Sequence, residues 1–172
     1  LGEKFTYHHK ILAYIAEVAA SSEGVTTMEY GQTHERRPLK LAVITAPENM
    51  RQLDAIRKSN LQHAKLESGE PAMDQVPVIW LSYSVHGNEA VCSEAAMETL
   101  YLLASQKAEG ASSWLKDMII VLDPCLNPDG RDRYTNWYNR YQHSMVNPNP
   151  AAMEHIEPWP GGRLYHYLFD LI

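Results

Sequence analysis

Apolar residues recur with two different periods along the first third of the chain. Between His8 and Ala20 they fall at helical spacing, which predicts an amphipathic helix. Val25 to Gln32 and Leu39 to Thr45 are rich in β-branched and apolar residues, and the polar run between them is typical of a hairpin connection. Apolar positions from Pro47 to about Ser59 predict a second helix.

Two compact apolar runs in the middle of the chain predict strands. Val76 to Tyr83 and Met118 to Leu122 are nearly continuous in apolar residues, which is typical of strands buried on both faces. The segment between them, from about Glu89 to Ser105, predicts a helix. This alternation favours an α/β fold with a mixed, largely parallel sheet and helices on both faces. Residues 124–163 contain six prolines and predict a long irregular segment, after which Leu164 to Ile172 again has the character of a strand.

Composition and charge restrict the classes of protein. A length of 172 residues allows one domain. Lys and Arg number 15 against 21 Asp and Glu, so the net charge is −6, and the absence of a basic patch argues against nucleic-acid binding. No apolar run is long enough to span a membrane. Two cysteines, Cys92 and Cys125, exclude a disulfide scaffold; they are expected to be buried thiols, with a single bridge as the alternative.

The sharpest candidate for chemistry is the segment His86-Gly87-Asn88-Glu89. It directly follows a predicted strand and begins a predicted helix, so the histidine and the glutamate can point at one ion. Ligand-binding residues of α/β folds gather at the carboxyl ends of strands, and imidazole with carboxylate suits zinc. Taken alone, the pair is weak evidence, and a surface histidine near a helix N-terminus explains it more simply.

Two further segments carry candidate chemistry. Asn127-Pro128-Asp129-Gly130 follows the next predicted strand, at the same edge of the sheet, although these residue types alone predict a plain β-turn. Gly162-Arg163 lies shortly before Phe169-Asp170-Leu171. Arg163 alone is compatible with a solvated cation in a loop.

Together and in this order, the segments resemble the zinc metallocarboxypeptidases with a carboxypeptidase A-like fold. The likeness rests on four stretches: Tyr30–Leu39, similar to the family's Gly-x-Ser/Thr-x-Glu-x-Arg-Pro hairpin, His86–Glu89, Leu126–Gly130, and Gly162–Arg163 leading into Phe169–Leu171. It extends from about Tyr14 to Leu171. The resemblance therefore implies that residues 1–172 are the N-terminal portion of a single catalytic domain.

The resemblance also implies roles for particular residues. His86 and Glu89 match the first two ligands of one zinc ion. Arg163 matches an arginine that contacts the substrate and polarises the scissile carbonyl, where a fixed guanidinium stabilises the oxyanion. Arg133 and Arg140 are rivals for this role, but the spacing to the following Asp-Leu pair favours Arg163.

The chain departs from the family where the remaining site residues are expected. In the family, Asp-Leu is followed by Asn-Arg, which binds the substrate's terminal carboxylate, whereas Leu171 is followed here by Ile172. The third zinc ligand, a histidine, and the general-base glutamate lie further downstream in the family. The sequence therefore predicts an apparently truncated domain. His143, His155 and His166 are candidates for a replacement ligand, but solvation or packing explains these histidines more simply. Glu154 and Glu157 are further candidates for a replacement ligand or base.

The function that the resemblance implies is zinc-dependent hydrolysis of C-terminal peptide bonds, or of related amide bonds, by metal-activated water. This chain would carry only part of the site and would be inactive alone. Two alternatives stay open: a non-catalytic peptide-binding module on the same fold, and a zinc amidase or deacylase. The resemblance favours a secreted or periplasmic protein, and a start at Leu1 rather than Met favours a processed or excised piece. An uncovered sheet edge would promote self-association.

Overall fold

The computed structural model describes residues 4–145 and 147–157. The first half of the chain forms α1 (His8–Ala20), β1 (Val25–Gln32), β2 (Pro38–Ile44), α2 (Pro47–Met50) and α3 (Leu53–His63). The second half forms β3 (Val78–Ser82), α4 (Val91–Ala104), α5 (Ala111–Asp117), β4 (Ile119–Asp123) and α6 (Pro128–Tyr141), followed by a 3₁₀ turn at Met153–His155.

The four strands form one mixed sheet in the order β1-β2-β4-β3. The β1–β2 hairpin is antiparallel, with Val25 opposite Ile44 and a register shift between Glu29 and Gly31. β2 is antiparallel to β4, and β3 is parallel to β4. The prediction of a mixed α/β fold is confirmed, with the antiparallel pairing at the start of the chain and the parallel pairing between β3 and β4.

Helices cover both faces of this sheet. Successive residues of a strand point to opposite faces, so the apolar residues of β4 supply both faces with side chains for the helices to pack against. Ile120 and Leu122 of β4 pack with residues of α1, α4 and α5, among them Leu100. Ile119 lies on the other face, in a smaller core that contains Ile56 of α3. The two cores hold the sheet rigidly enough to position the loops that leave its carboxyl edge.

The prediction that Val76–Tyr83 is a strand buried on both faces is wrong. The strand is present as β3, but Val78 is 55% exposed and Trp80 is 61% exposed. Within residues 4–145 and 147–157, β3 pairs only with β4, so it forms an edge of the described sheet. A continuous apolar run predicts a strand, but it does not predict which segments pack against the faces of that strand.

The prediction of an irregular segment over residues 124–163 is wrong for Pro128–Tyr141, which is the helix α6. Its N-cap is Asn127, whose side-chain oxygen accepts a hydrogen bond from the Gly130 N–H at 3.0 Å. Proline fits the first position of a helix, where its missing N–H costs nothing. One face carries aromatic residues at helical spacing: Tyr134, Trp137, Tyr138 and Tyr141. The Asn-Pro-Asp-Gly segment therefore begins a helix and is not a plain β-turn.

The remaining differences from the sequence predictions are smaller. The helix predicted over Pro47–Ser59 is two helices, α2 and α3, and α5 was not predicted. Both cysteines are free thiols, and Cys125 is buried whereas Cys92 is partly exposed. The strand predicted at Leu164–Ile172 lies outside the described residues. None of the helices found in the described part of the chain combines the length and apolar character of a membrane span.

Candidate metal centre

The segments that leave β3 and β4 run side by side at the carboxyl edge of the sheet. The Tyr83 N–H donates to the Asp123 carbonyl at 3.0 Å, and the Leu126 N–H donates to the Tyr83 carbonyl at 2.9 Å. The Asn127 N–H donates to the Ser84 carbonyl at 3.1 Å. These bonds extend the parallel pairing beyond the strands, so the two sequence motifs lie against each other.

His86 and Glu89 meet at this edge. The His86 Nδ1 and Glu89 Oε2 atoms are 3.0 Å apart, and the two side chains are 47% and 58% exposed. The backbone turns tightly between them, because the Glu89 N–H donates to the His86 carbonyl at 3.2 Å. An imidazole nitrogen and a carboxylate oxygen this close together can bind one cation, and the exposure leaves the pair open to ligands from solvent.

The Asn-Pro-Asp-Gly segment supports the histidine-bearing loop through backbone contact. A Cβ atom built on Gly87 would overlap the carbonyl carbon and oxygen of Gly130, so only glycine fits there. The Asn127 side-chain amide also donates to the Val85 carbonyl at 3.1 Å. Ser84 turns the chain out of β3 with a φ of 56°, a conformation that costs a residue with a Cβ atom free energy. The loop from Ser84 to Gly87 is therefore held in one path.

The β1–β2 hairpin holds the first turn of α6. The Asp129 carboxylate accepts hydrogen bonds from the Thr33 hydroxyl at 2.8 Å and from the Arg37 guanidinium at 2.6 Å. The Glu35 N–H donates to the same carboxylate at 3.2 Å. Burial alone would raise the pKa of Asp129, but these hydrogen bonds outweigh it and hold the pKa below its ordinary value. The β1–β2 hairpin thus supports the His86 loop indirectly, because it fixes the first turn of α6 and that turn contacts the loop.

A buried carboxylate anchors the end of β4. Asp123 is 1% exposed, accepts a hydrogen bond from the Tyr30 hydroxyl, and accepts another from the Cys125 N–H at 3.1 Å. Burial raises the pKa of Asp123, and the two hydrogen bonds offset that rise only in part. Burial and the hydrogen bond to Asp123 also raise the pKa of Tyr30. Asp123 was not singled out in the sequence, although a carboxylate directly after a buried strand was the available signal.

The structure brings together only some of the residues that the sequence singled out. Arg133 and Arg140, the rival arginines, lie on α6. The His143 N–H donates to Glu154 at 2.7 Å, and the ring of His155 contacts the Asn147 carbonyl at 2.7 Å. Arg163 of the predicted site lies outside the described residues, as do the candidate replacement ligand His166 and the family-matching Asp170.

No third metal ligand joins the pair in the described ranges. Across residues 4–145 and 147–157, no group of three or more His, Cys, Asp or Glu side chains is placed to hold an ion. His143, His155 and Glu154 therefore do not complete a metal site there. The donor set of His86 and Glu89 fits zinc in its chemistry and is short of a full coordination shell.

Comparison with known proteins gives one family and a group of similar folds. The model of the zinc carboxypeptidase family matches residues 11–155. Carboxypeptidase A from Helicoverpa armigera is 23% identical, with a TM-score of 0.55 over 74% of this chain and 26% of that chain. A metallo-carboxypeptidase from Burkholderia cenocepacia is 16% identical, with a TM-score of 0.52 over 72% of this chain and 28% of that chain.

A third similar structure is bovine thrombin-activatable fibrinolysis inhibitor, solved in complex with tick carboxypeptidase inhibitor. It is 15% identical, with a TM-score of 0.53 over 87% of this chain and 41% of that chain. At these identities the likeness establishes the fold. The chain matches between 26% and 41% of the length of the three structures. No curated protein sequence matches the chain.

Proposed function

The chain belongs to the zinc carboxypeptidase family, and on that basis we propose that residues 1–172 form the N-terminal portion of its catalytic domain. The proposed reaction is hydrolysis of a C-terminal peptide bond. Carboxypeptidase-type function holds at the level of the family, whereas the roles of individual residues here are part of the proposal. The proposed substrate is the C-terminus of a peptide or protein.

One observation carries the proposal: the His86 Nδ1 and Glu89 Oε2 atoms converge to 3.0 Å at the carboxyl edge of the sheet. A hydrogen bond to a carboxylate requires a proton on Nδ1, and a bound ion would replace that proton. Gly130 and Asn127 hold the backbone of the loop at Gly87 and Val85, so only the two side chains have to be ordered when the ion binds. Preorganised ligands of this kind favour metal binding.

Each residue has a proposed part in the chemistry. His86 and Glu89 would hold the zinc ion, which when bound lowers the pKa of a water molecule to about 7 and polarises a carbonyl group. Arg163 is proposed to hold the substrate carbonyl and to stabilise the negative charge that develops on its oxygen. The half-exposed position of His86 and Glu89 leaves room for the substrate beside them.

The two proposed ligands, His86 and Glu89, are fewer than the three that catalytic zinc requires. Glu89, once bound to the ion, is not available as the general base that must lie within hydrogen-bond reach of the water. We therefore expect the 172-residue chain alone to bind zinc weakly and to release no C-terminal residues at a measurable rate.

Zinc titration by calorimetry, paired with an assay for release of C-terminal residues, tests the proposal. His86→Ala and Glu89→Gln should each abolish the zinc heat at the protein concentration where the unaltered chain shows it. His63→Ala is the matched control, because His63 is an exposed histidine on α3 and should leave zinc binding unchanged. Circular dichroism should show the same helix content in all four proteins.

Other outcomes would point to other functions. Zinc binding that survives both substitutions would refute the assignment of His86 and Glu89. Tight one-to-one binding with turnover would show that this chain contains a third ligand and a base, and would overturn the half-site proposal. Binding of a free peptide C-terminus without any zinc dependence would favour a non-catalytic peptide-binding module.

A further inference from the structure

Arg131 connects three segments at the site, and its position suggests a role that its sequence context does not reveal. We propose that Arg131 is a positioning residue: its buried guanidinium holds the end of the His86–Glu89 segment so that the glutamate faces the ion. The inference rests on the proposed function, because it concerns the same metal-binding pair.

The guanidinium of Arg131 is fully buried and uses each of its nitrogens. Nη1 donates to the Ala90 carbonyl at 2.5 Å, and Nη2 donates to Glu94 Oε1 at 2.7 Å. Nε donates to the Thr6 carbonyl at 2.8 Å. The exposed fraction of Arg131 is 0%, and its bonds to Ala90 and Glu94 are buried, whereas the bond to the partly exposed Thr6 is only partly buried.

Two of the three partners lie where the metal-binding segment enters α4. Ala90 directly follows Glu89, and Glu94 lies one turn further along the helix. The Arg131 guanidinium donates to the backbone just before this first turn and to a side chain at the end of it. These two bonds fix the direction in which α4 leaves the loop. The Cys92 N–H, which donates to the Glu89 carbonyl at 3.0 Å, lies in the same turn. The backbone of Glu89 is therefore held from its C-terminal side by Arg131 and from its N-terminal side by the Gly87–Gly130 contact.

The charge of the buried arginine is balanced locally. Glu94 accepts the bond from Arg131 and two more from Thr6, through its N–H at 2.7 Å and its hydroxyl at 3.0 Å. A planar guanidinium can serve three acceptors in different directions, whereas the single ammonium of lysine cannot do so in one plane. An ion pair alone could be replaced by apolar packing, but the Ala90 carbonyl would then lose its donor.

Hydrogen exchange on the metal-free chain tests the positioning role without any zinc. Arg131→Met should accelerate exchange of the Glu89 and Cys92 amides by at least about tenfold, with Arg131→Lys in between. Glu94→Gln keeps an acceptor for Arg131 and leaves the Ala90 bond in place. It removes the counter-charge of a buried guanidinium and so lowers global stability, but its selective effect on these two amides should be smaller. The control is Ile56→Ala, which leaves a cavity in the smaller core on the other face of the sheet. It should change global stability without a selective effect on the two amides.

Zinc affinity supplies the second readout. At pH and temperature where each variant is fully folded, Arg131→Met should weaken zinc binding by roughly tenfold or more, the loss typical of removing a residue that orients metal ligands. Ile56→Ala should leave the affinity unchanged. If Arg131→Met does not fold, Arg131→Lys and Glu94→Gln are compared instead, with the larger loss expected for the lysine variant.

The two proposals fail in different ways. Unchanged exchange at Glu89 and Cys92 together with unchanged zinc affinity in the folded Arg131 variants overturns the positioning role, even if His86→Ala abolishes binding. Zinc binding that does not depend on His86 overturns the proposed function, while exchange still decides whether Arg131 holds the segment. A loss of zinc affinity equal in Arg131→Met and Ile56→Ala would show a general effect of stability and would also overturn the positioning role.

Discussion

β3 and β4 are parallel neighbours of similar apolar composition, yet they differ in burial. In register, Ile79 of β3 lies opposite Ile120 of β4. Ile79 is 41% exposed and Ile120 is 5% exposed. β4 has a strand on each side, whereas β3 has one neighbour in the part of the chain that the structure describes. Burial of a strand is therefore decided by its neighbours, and two strands with the same apolar pattern can have opposite environments.

The contrast continues beyond the strand ends. The end of β4 and the helix that follows it supply a carboxylate and a guanidinium, Asp123 and Arg131, that are buried and hydrogen-bonded. The segment after β3 supplies His86 and Glu89, which are half exposed and bonded mainly to each other. The well-buried strand thus carries the supporting residues, and the exposed strand carries the residues that we propose bind the ion. The residues that stabilise the edge of the sheet and the residues proposed to bind the ion therefore lie in two adjacent segments.

The strongest test of this contrast replaces the two opposed isoleucines. Ile120→Ala should lower the free energy of unfolding by about 2–5 kcal/mol, because it leaves a cavity in a packed core. Ile79→Ala should cost about 1 kcal/mol or less, as is usual for a half-exposed position. Urea denaturation followed by tryptophan fluorescence measures both values. Equal losses would show that β3 is covered in solution, as the predicted self-association through this edge would require, and sedimentation would then identify the oligomer.

A smaller effect is expected where the two segments touch. Gly87→Ala should destabilise the chain by about 1–3 kcal/mol, because the new methyl group must displace the Gly130 backbone. It should also weaken zinc binding, since the loop that carries His86 must move. Gly31→Ala is the control: its Cβ would only meet the Leu39 side chain at 3.9 Å, an ordinary contact. If Gly87→Ala keeps both stability and zinc affinity, the two segments are less tightly coupled than the contact indicates.

The smallest effect concerns acid sensitivity on the buried side. His8 is 3% exposed; burial lowers its pKa, and the hydrogen bond to the Pro38 carbonyl and the charge of Asp132 only partly oppose this. The folded chain therefore binds a proton at His8 less readily than the unfolded chain, in which histidine has its ordinary pKa of about 6.5. Stability should fall as the pH drops below that value, by at most about 1.4 kcal/mol per pH unit.

His8→Gln removes this proton uptake. Between pH 7.0 and 5.5, the free energy of unfolding of the unaltered chain should fall more than that of the variant. This range lies above the ordinary titration of carboxyl groups, and Asp129, whose pKa is held below its ordinary value, contributes equally in the two proteins. Parallel pH dependences of the two proteins would contradict the lowered pKa of His8.

The sequence predicted the features that depend on local spacing. Helix α1 and the β1–β2 hairpin follow from periodicity over short windows, and the approach of His86 to Glu89 follows from a single tight turn. The sequence did not predict the exposure of β3, because strand pairing joins distant segments. Helix α6 was missed because Asn-Pro-Asp-Gly is as common in turns as at a helix start.

The supporting contacts of the site could not be predicted for the same reason. The neighbours of Arg131 in the sequence give no sign of its partners, because it bonds to Glu94, Ala90 and Thr6, which lie 37, 41 and 125 positions away. The contact of Gly87 with Gly130 has no signature in either segment, since glycine is ordinary in both. Such pairings exist only once the sheet has brought the two loops together.

The bonds of Thr6 and His8 to α6 have a consequence for the order in which the chain acquires its structure. Thr6 is bonded to Arg131 and His8 to Asp132, across 125 and 124 positions. The ribosome synthesises the segment with Thr6 and His8 first, whereas Arg131 and Asp132 belong to α6, the last α-helix of the described residues. Closing so long a loop is slow, since its entropy must be lost before the contact forms. The His86–Glu89 segment is held by the same arginine through Ala90. It can therefore reach its final conformation only after nearly the whole described chain has been synthesised.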